Sequence, residues 1–226
     1  MMDIHWIGVY YNDFTGIRIR EDFMKRFLTM LASLGLCLGS TVLAQPLAPS
    51  PHGSPDSVVR SVPYQDATGA HRVVLRHTGF LQGRPDPRYP DIIAVSAELR
   101  AYDLALGPDG SRREVWRMRD FVLNCTESAT LEFSPESPII TDLDRNGYAE
   151  VWLVYYTGCR GDVSPENMKI LMYEAGVKHA MRGQTFVHVD GMDMGGRFRE
   201  DAAFANAAPP IRRFAHDLWM RNRDHR

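Results

Sequence analysis

The chain has 226 residues, of which 44% are hydrophobic and 24% are charged, with 18 glycines and 14 prolines. This composition is typical of a globular protein and excludes a disordered or collagen-like chain. The formal net charge of -2 offers no strongly basic surface for nucleic-acid phosphates. We therefore expect one globular domain and no nucleic-acid partner.

The first part of the chain carries the pattern of a secretory signal peptide. Lys25 and Arg26 precede an uncharged stretch that ends in small residues just before Gln45. A basic start, an apolar centre and a small-residue cleavage site define such a signal. The sequence predicts a signal peptide at 24–44. The acidic segment 1–23 before it is then an extension that results from a start codon assigned too far upstream. The mature protein is then periplasmic, secreted or on the cell surface, with no membrane span after cleavage.

An uncleaved membrane anchor is the alternative for the same segment. Roughly 18 uncharged residues are just enough to cross a bilayer. The glycine, serine and threonine residues inside the segment dilute its apolar character and favour cleavage.

The mature chain keeps two of the three cysteines, Cys125 and Cys159. In an oxidising compartment two thiols are expected to form one structural disulfide. Their spacing is far from the Cys-x-x-Cys pattern of a redox pair. The segment 45–56 is rich in proline, glycine and serine, which predicts a flexible leader before a single β-rich domain at 57–226.

Short runs of β-forming residues, separated by turn residues, fill most of the mature chain. The runs are 71–80, 91–106, 114–125, 130–133, 138–141, 149–157, 168–174 and 178–182. One run in about a dozen residues favours an antiparallel architecture. We predict a mainly β fold, an antiparallel sheet of about seven to nine short strands, with a hairpin at 175–177.

A helical pattern occurs only near the C-terminus. Apolar residues at helical spacing follow two prolines that suit a helix start, and they are Ile211, Phe214, Ala215, Leu218 and Trp219 after Pro209 and Pro210. We expect this helix to pack its apolar stripe on the sheet.

The most specific signal in the chain is TDLDRNGYAEVW at 141–152. Oxygen ligands at alternate positions can curl around a hard cation, and calcium takes six to eight of them. Gly147 permits the sharp turn that such a loop requires. The predicted calcium ligands are the side chains of Asp142, Asp144, Asn146 and Glu150 and the main-chain carbonyl of Tyr148.

The loop departs from an EF-hand in two ways. The twelfth position, where a bidentate glutamate is required, holds Leu153, and β-type runs flank the loop in place of helices. A plain hairpin turn is the alternative, in which the aspartate and asparagine side chains only accept hydrogen bonds from their own backbone.

Other chemistry-bearing patterns are weak. The histidines form no HxH or HExxH spacing, and the chain has no GxSxG or Walker-type loop. His71 and His77, on the first predicted strand, are interpreted as surface or turn-proximal packing residues.

The acidic stretch and the strand after it resemble the calcium loops of FG-GAP and VCBS repeats. Most of the mature chain also resembles a family of uncharacterised exported bacterial proteins, some of them labelled surface polysaccharide biosynthesis proteins. The segments that carry this resemblance include CRGDVSP at 159–165, MKILMYE at 168–174 and AMRG at 180–183. The resemblance implies an association with surface polysaccharide but no particular reaction.

Two functions follow as expectations. The first is a calcium-stabilised, non-enzymatic binding or accessory protein of the cell envelope, with Arg160, Asp162, Tyr155 and Tyr156 as the contact surface for a glycan or protein. Arg160 and Asp162 could instead pair with each other or with the metal loop and serve structure alone.

The second function is an enzyme of envelope polysaccharide assembly or trimming. Asp190, Asp193 and Glu200 surround a glycine-rich segment and are the candidate acid and base. Glycoside hydrolysis needs two carboxylates roughly 5 to 10 Å apart in an open groove.

Overall fold

The computed structural model describes residues 56–85 and 87–225. The predicted signal peptide, the extension before it and all but the last residue of the predicted leader lie outside these residues. The described chain is mainly β, with 56% strand and 11% helix, and its sheets are antiparallel. This confirms the predicted fold class, with thirteen strands where the sequence predicts seven to nine. No helix in the described ranges is long and apolar enough to span a membrane.

The strands and helices follow one another in a simple order. The strands are β1 (Ser57–Asp66), β2 (Gly69–His77), β3 (Leu81–Gln82), β4 (Val95–Leu106), β5 (Arg112–Cys125), β6 (Ser128–Phe133), β7 (Ile139–Thr141), β8 (Glu150–Arg160), β9 (Asn167–Glu174), β10 (Val177–Gln184), β11 (Phe186–Val189), β12 (Met192–Gly195) and β13 (Phe198–Glu200). The helices are α1 (Ala202–Ala205) and α2 (Pro209–Asn222). The predicted hairpin is the turn between β9 and β10.

Two sheets account for most of the strands. In the first sheet β4 pairs with β2 and β3 along one edge and with β5 along the other, and β1 pairs with β2. The second sheet has the order β13-β10-β9-β8-β6, and β7 also pairs with β8. The strands β11 and β12 form a separate hairpin.

Strand β8 lies between two hydrophobic cores. Leu153 and its alternate neighbours belong to a core that includes Leu75 and Leu99 of the first sheet. Trp152 and its alternate neighbours belong to a core shared with Trp219 of α2. A strand buried on both faces shows a continuous apolar run without alternation, which explains the sequence around these residues. The fold is therefore layered as sheet, sheet and helix.

Helix α2 covers the outer face of the second sheet, as the apolar spacing predicts. Ile211, Ala215, Leu218 and Trp219 are buried, with Trp219 fully so. Pro209 begins the helix, where a missing N–H costs no intrahelical hydrogen bond.

A disulfide joins the two sheets, as the sequence predicts. Cys125 ends β5 in the first sheet and Cys159 lies near the end of β8 in the second. The two Cα atoms are 5.6 Å apart, within the usual range for a bridge. The bond therefore fixes one end of the interface between the sheets.

Candidate functional site

The acidic loop, residues 142–150, connects β7 to β8. Thr141 and Glu150 pair directly across the two strands, so the loop closes on itself. Arg145 and Gly147 have φ values of 60° and 85°, in the left-handed region where glycine is favoured. These conformations reverse the chain, and the flanking strands agree with the expectation from sequence.

Three carboxylates converge in this loop. One oxygen from each of Asp142, Asp144 and Glu150 lies within 4.8 Å of the others. Oxygens bound across a calcium ion at 2.3 to 2.6 Å would be up to about 5 Å apart, so this spacing suits a cation. The cluster could therefore hold a metal ion.

Glu150 is the fully buried member of the cluster. Its carboxylate accepts hydrogen bonds from the Thr141 hydroxyl at 2.6 Å and from the Leu143 N–H at 2.9 and 3.0 Å. Burial raises the pKa of Glu150, and the negative charge of Asp144 adds to that rise, whereas the hydrogen bonds oppose it. A bound cation would lower the cost of keeping this carboxylate ionised.

The other two predicted ligands lie in the same turn. Asn146 Oδ1 accepts a hydrogen bond from the Tyr148 N–H at 2.8 Å, and Asn146 Nδ2 donates to Asp144 Oδ2 at 3.1 Å. The Gly147 N–H donates to Asp142 Oδ2 at 3.2 Å. These are the local bonds expected of a hairpin turn, so the loop combines a self-bonded turn with converging carboxylates.

The acidic loop is also bonded to the turn between β1 and β2 of the first sheet. The Ala67 N–H donates to the Gly147 carbonyl at 2.8 Å. The Ala149 N–H donates to Asp66 Oδ2 at 3.2 Å. This contact was not predicted, because β1 was not among the predicted strands. The loop thus forms a further link between the sheets, in addition to the disulfide.

Two residues of the predicted contact surface are buried. Tyr155 and Tyr156 are 3% and 2% exposed and face the two opposite cores. The expectation that they present an exposed aromatic face is therefore wrong, because β8 is covered on both sides. Their hydroxyls donate inside the protein, to Asp120 at 2.9 Å and to the Asn222 carbonyl at 3.0 Å.

Arg160 and Asp162 lie at a surface groove of about 350 Å³. Arg160 donates to the Ser164 carbonyl and to Glu166, and Asp162 accepts from the Ser164 N–H at 3.0 Å. None of these three hydrogen bonds joins Arg160 to Asp162 or joins either residue to the acidic loop, which were the two pairings expected if these residues served structure alone. The groove is completed by Val163, Thr185, Val187, His188, Val189 and His225.

Of the three carboxylates proposed for catalysis, two lie in one exposed hairpin and the third lies on another strand. Asp190 lies in the turn between β11 and β12, and Asp193 pairs with His188 on the exposed face of that hairpin. Glu200 accepts hydrogen bonds from Arg212 at 3.2 Å and from His216 at 2.6 Å, if that histidine nitrogen carries the proton.

His71 packs close to the turn between β1 and β2, as one of its two interpretations holds, but it is not a surface residue. It is 3% exposed and bonded to Asp103, beside a cavity of about 260 Å³. The burial of His71 could have been predicted from the alternation along the strand, because His71 shares its inward face with the buried Val73 and Leu75.

Comparisons with protein-family models, curated proteins and solved structures find no match to this chain. A function is therefore proposed from the chemistry of the sites together with the sequence patterns.

Proposed function

We propose that this protein is an exported, calcium-stabilised binding or accessory protein of the cell envelope. The observation that carries the proposal is the convergence of Asp142, Asp144 and Glu150 within 4.8 Å in one short loop. The proposed role of the metal is to hold this loop, and through it the two sheets, in one arrangement.

Calcium is the proposed ion because of the number and type of oxygens in the loop. Besides the three carboxylates, the Asn146 side chain and the Tyr148 carbonyl are oxygen donors within nine residues. Calcium accepts many oxygens in flexible geometry, whereas magnesium requires a near-ideal octahedron and keeps several waters. An irregular loop with mixed oxygen donors therefore suits calcium better.

Export is supported by two independent features of the chain. The segment 24–44 has the pattern of a cleaved signal, and the Cys125–Cys159 bridge is of the kind that persists in oxidising compartments. Calcium is abundant outside the cell, where loose sites with dissociation constants on the order of 0.1 to 1 mM are common.

The groove at Arg160 and Asp162 is the proposed contact surface for an envelope glycan. A guanidinium and a carboxylate provide donors and acceptors for sugar hydroxyls, and Val163, 58% exposed, adds an apolar contact. The resemblance to exported polysaccharide-associated proteins favours a glycan over a protein partner.

The test is binding of purified cell-envelope polysaccharide by the full protein, with calcium and with chelator. We expect binding in calcium that falls several-fold in chelator and in the Asp162→Ala variant. Asp109→Asn, at an exposed turn in the first sheet, is the matched control and should bind as wild type. Equal binding by the wild type and Asp162→Ala, or no binding in calcium, would refute the proposed contact surface.

A further inference from the structure

The first sheet holds a hydroxyl, an imidazole and a carboxylate in one hydrogen-bonded series. Thr68 Oγ1 lies 2.7 Å from His71 Nε2, and His71 Nδ1 lies 3.0 Å from Asp103 Oδ2. His71 and Asp103 are buried, whereas Thr68 is exposed in the turn between β1 and β2. An accessible hydroxyl with a buried base and a buried carboxylate behind it is the arrangement of a nucleophilic triad.

The residues around the imidazole hold it in the orientation that such chemistry requires. The Tyr64 ring stacks on His71 with centroids 4.9 Å apart, and its hydroxyl donates to Asp103 Oδ2 at 3.0 Å. Burial, together with the nearby Asp103 charge, raises the pKa of Tyr64, so this hydroxyl stays protonated. Burial raises the pKa of Asp103, whereas His71 and the Tyr64 hydroxyl oppose that rise. Once ionised, Asp103 can only accept, and the His71 tautomer with its hydrogen on Nδ1 then leaves the Nε2 lone pair free for Thr68.

Thr68 also lies at the junction of two cavities. The inner cavity of about 260 Å³ is lined by His71 and Asp103, and the outer groove of about 710 Å³ is lined by Leu106 and neighbouring residues. Thr68 and Arg113 line both. A substrate spanning the junction would place its reacting bond beside the Thr68 hydroxyl and near a positive charge.

Thr68 has a second neighbour that competes for its hydroxyl hydrogen. Asp66 Oδ1 lies 2.6 Å from Thr68 Oγ1 and also accepts from the Thr68 N–H at 2.7 Å. When the hydroxyl hydrogen turns toward His71, Asp66 keeps the bond from the main-chain N–H. The reactive orientation therefore leaves neither group without a partner.

We propose that Thr68 is the nucleophile of an ester-hydrolysing site, with His71 as its general base and Asp103 as a positioning residue. The substrate class is a small acyl ester of a larger hydroxylated compound. The acyl group would enter the inner cavity, and the alcohol would lie in the outer groove. This activity is additional to the proposed binding function and does not depend on it.

The reaction is balanced by water alone. Thr68 Oγ1 forms a bond to the ester carbonyl carbon while its proton passes to His71 Nε2. The bond from that carbon to the alcohol oxygen breaks, and His71 returns the proton to the departing alcohol. Water then attacks the acyl-threonine through the same base, which releases the carboxylic acid and restores the Thr68 hydroxyl. The positive charge of Arg113 would stabilise the carbonyl oxygen that becomes negative in each step.

The probe is 4-nitrophenyl acetate, with the full protein and mass mapping of the acetylated peptide after a rapid quench. We expect hydrolysis above buffer and an acetyl group on Thr68. Thr68→Val should lower the rate at least about 100-fold, because the nucleophile is lost, and Thr68→Ser should retain activity. Ser128→Ala removes an exposed hydroxyl on β6 that lines neither cavity and should leave the rate unchanged.

Asp103→Asn separates positioning from structural support. We expect kcat to fall strongly while KM and the melting temperature stay near those of the wild type, because an amide does not hold His71 in the required tautomer. The proposal is overturned if the wild type gives no hydrolysis above buffer, if Thr68→Val hydrolyses the ester as fast as the wild type, or if the acetyl group maps only to other residues. If kcat/KM of Asp103→Asn falls only because KM rises, with kcat unchanged, the positioning role is contradicted as well.

Discussion

At the scale of single residues, Glu98 is the group through which acid should weaken the first sheet. The Arg119 guanidinium donates to Glu98 at 2.6 Å, and Arg100 binds its other oxygen. These hydrogen bonds, that of Arg119 foremost, lower the pKa of Glu98 from 4.5 to about 2. Because the folded pKa is depressed, the stabilisation is complete above pH 4.5 and is lost as the pH falls toward 2.

The Glu98→Gln variant tests this pH dependence. At pH 7 we expect it to be about 1 kcal/mol less stable than wild type, since the Arg119 side chain is largely exposed and solvent screens the pair. The difference should shrink as the pH approaches 2. Urea unfolding at several pH values measures it, with Glu114→Gln in an exposed pair as control. A difference that is constant with pH would show that ionisation of Glu98 plays no part.

Residue patterns predicted the acidic loop but not the His71 site, for a physical reason. The loop's oxygen-bearing residues lie within nine positions, so their spacing in the sequence alone reveals them. Thr68, His71 and Asp103 come from a turn and two strands, and only the pairing of β2 with β4 brings them together. A lone histidine in a strand does not reveal which residues the neighbouring strand places beside it.

At the scale of elements, the disulfide should contribute measurably to stability. The bridge closes a loop with a sequence separation of 34 residues, which restricts the unfolded chain. Replacing Cys125 and Cys159 together by alanine should cost about 3 to 4 kcal/mol. Urea unfolding with and without reductant measures this, and the double variant should be insensitive to reductant. If reduction leaves wild-type stability unchanged, the bridge does not constrain the unfolded state.

Helix α2 should be an integral part of the fold, because its apolar side is one wall of the second core. Trp219 is fully buried, and its ring packs against the Phe198 ring with the two centroids 5.0 Å apart. Its indole N–H donates to the Gly196 carbonyl at 3.2 Å. Trp219→Ala should therefore cost about 3 to 5 kcal/mol in urea unfolding. Met220→Ala, at a half-exposed neighbour, should change stability by less than about 0.5 kcal/mol. Equal effects of the two substitutions would contradict the observed packing.

The elements that the sequence predicted are those with strong local patterns. The α2 stripe, the turn at 175–177 and the continuous apolar run of β8 each follow from spacing within one segment. Strand β1 was missed because it is mostly exposed and contains Pro63, which weakens its apolar signal. The strands β11 to β13 were missed because they are short and because charged residues, histidine or glycine interrupt their apolar residues, unlike the two isoleucines that predicted the equally short β7.

At the scale of the whole molecule, one of the links that join the two sheets passes through the acidic loop. Asp66 accepts from the Ala149 N–H next to Glu150, and Ala67 donates to Gly147. Asp66→Ala should therefore destabilise the protein by about 1 to 2 kcal/mol and weaken metal binding, although Asp66 is not a proposed ligand. Thermal melts with and without calcium measure both effects. A melting curve and calcium response like those of wild type would show that the link carries no coupling.

The central claim is that the acidic loop binds calcium and thereby stabilises the fold. The most direct measurement is calorimetric titration of the chelator-stripped protein with calcium, together with thermal melts of wild type, Asp144→Ala and the control Asp109→Asn. Saturable heat with a dissociation constant on the order of 0.1 to 1 mM is expected for wild type and the control. At a calcium concentration about ten times the dissociation constant, the free energy of unfolding should rise by about 1.4 kcal/mol and the melting temperature by about 3 to 6 °C. Asp144→Ala should lose both the heat of binding and the rise in melting temperature. No heat and no change in melting at several millimolar calcium would contradict the claim and reduce the loop to a hairpin turn.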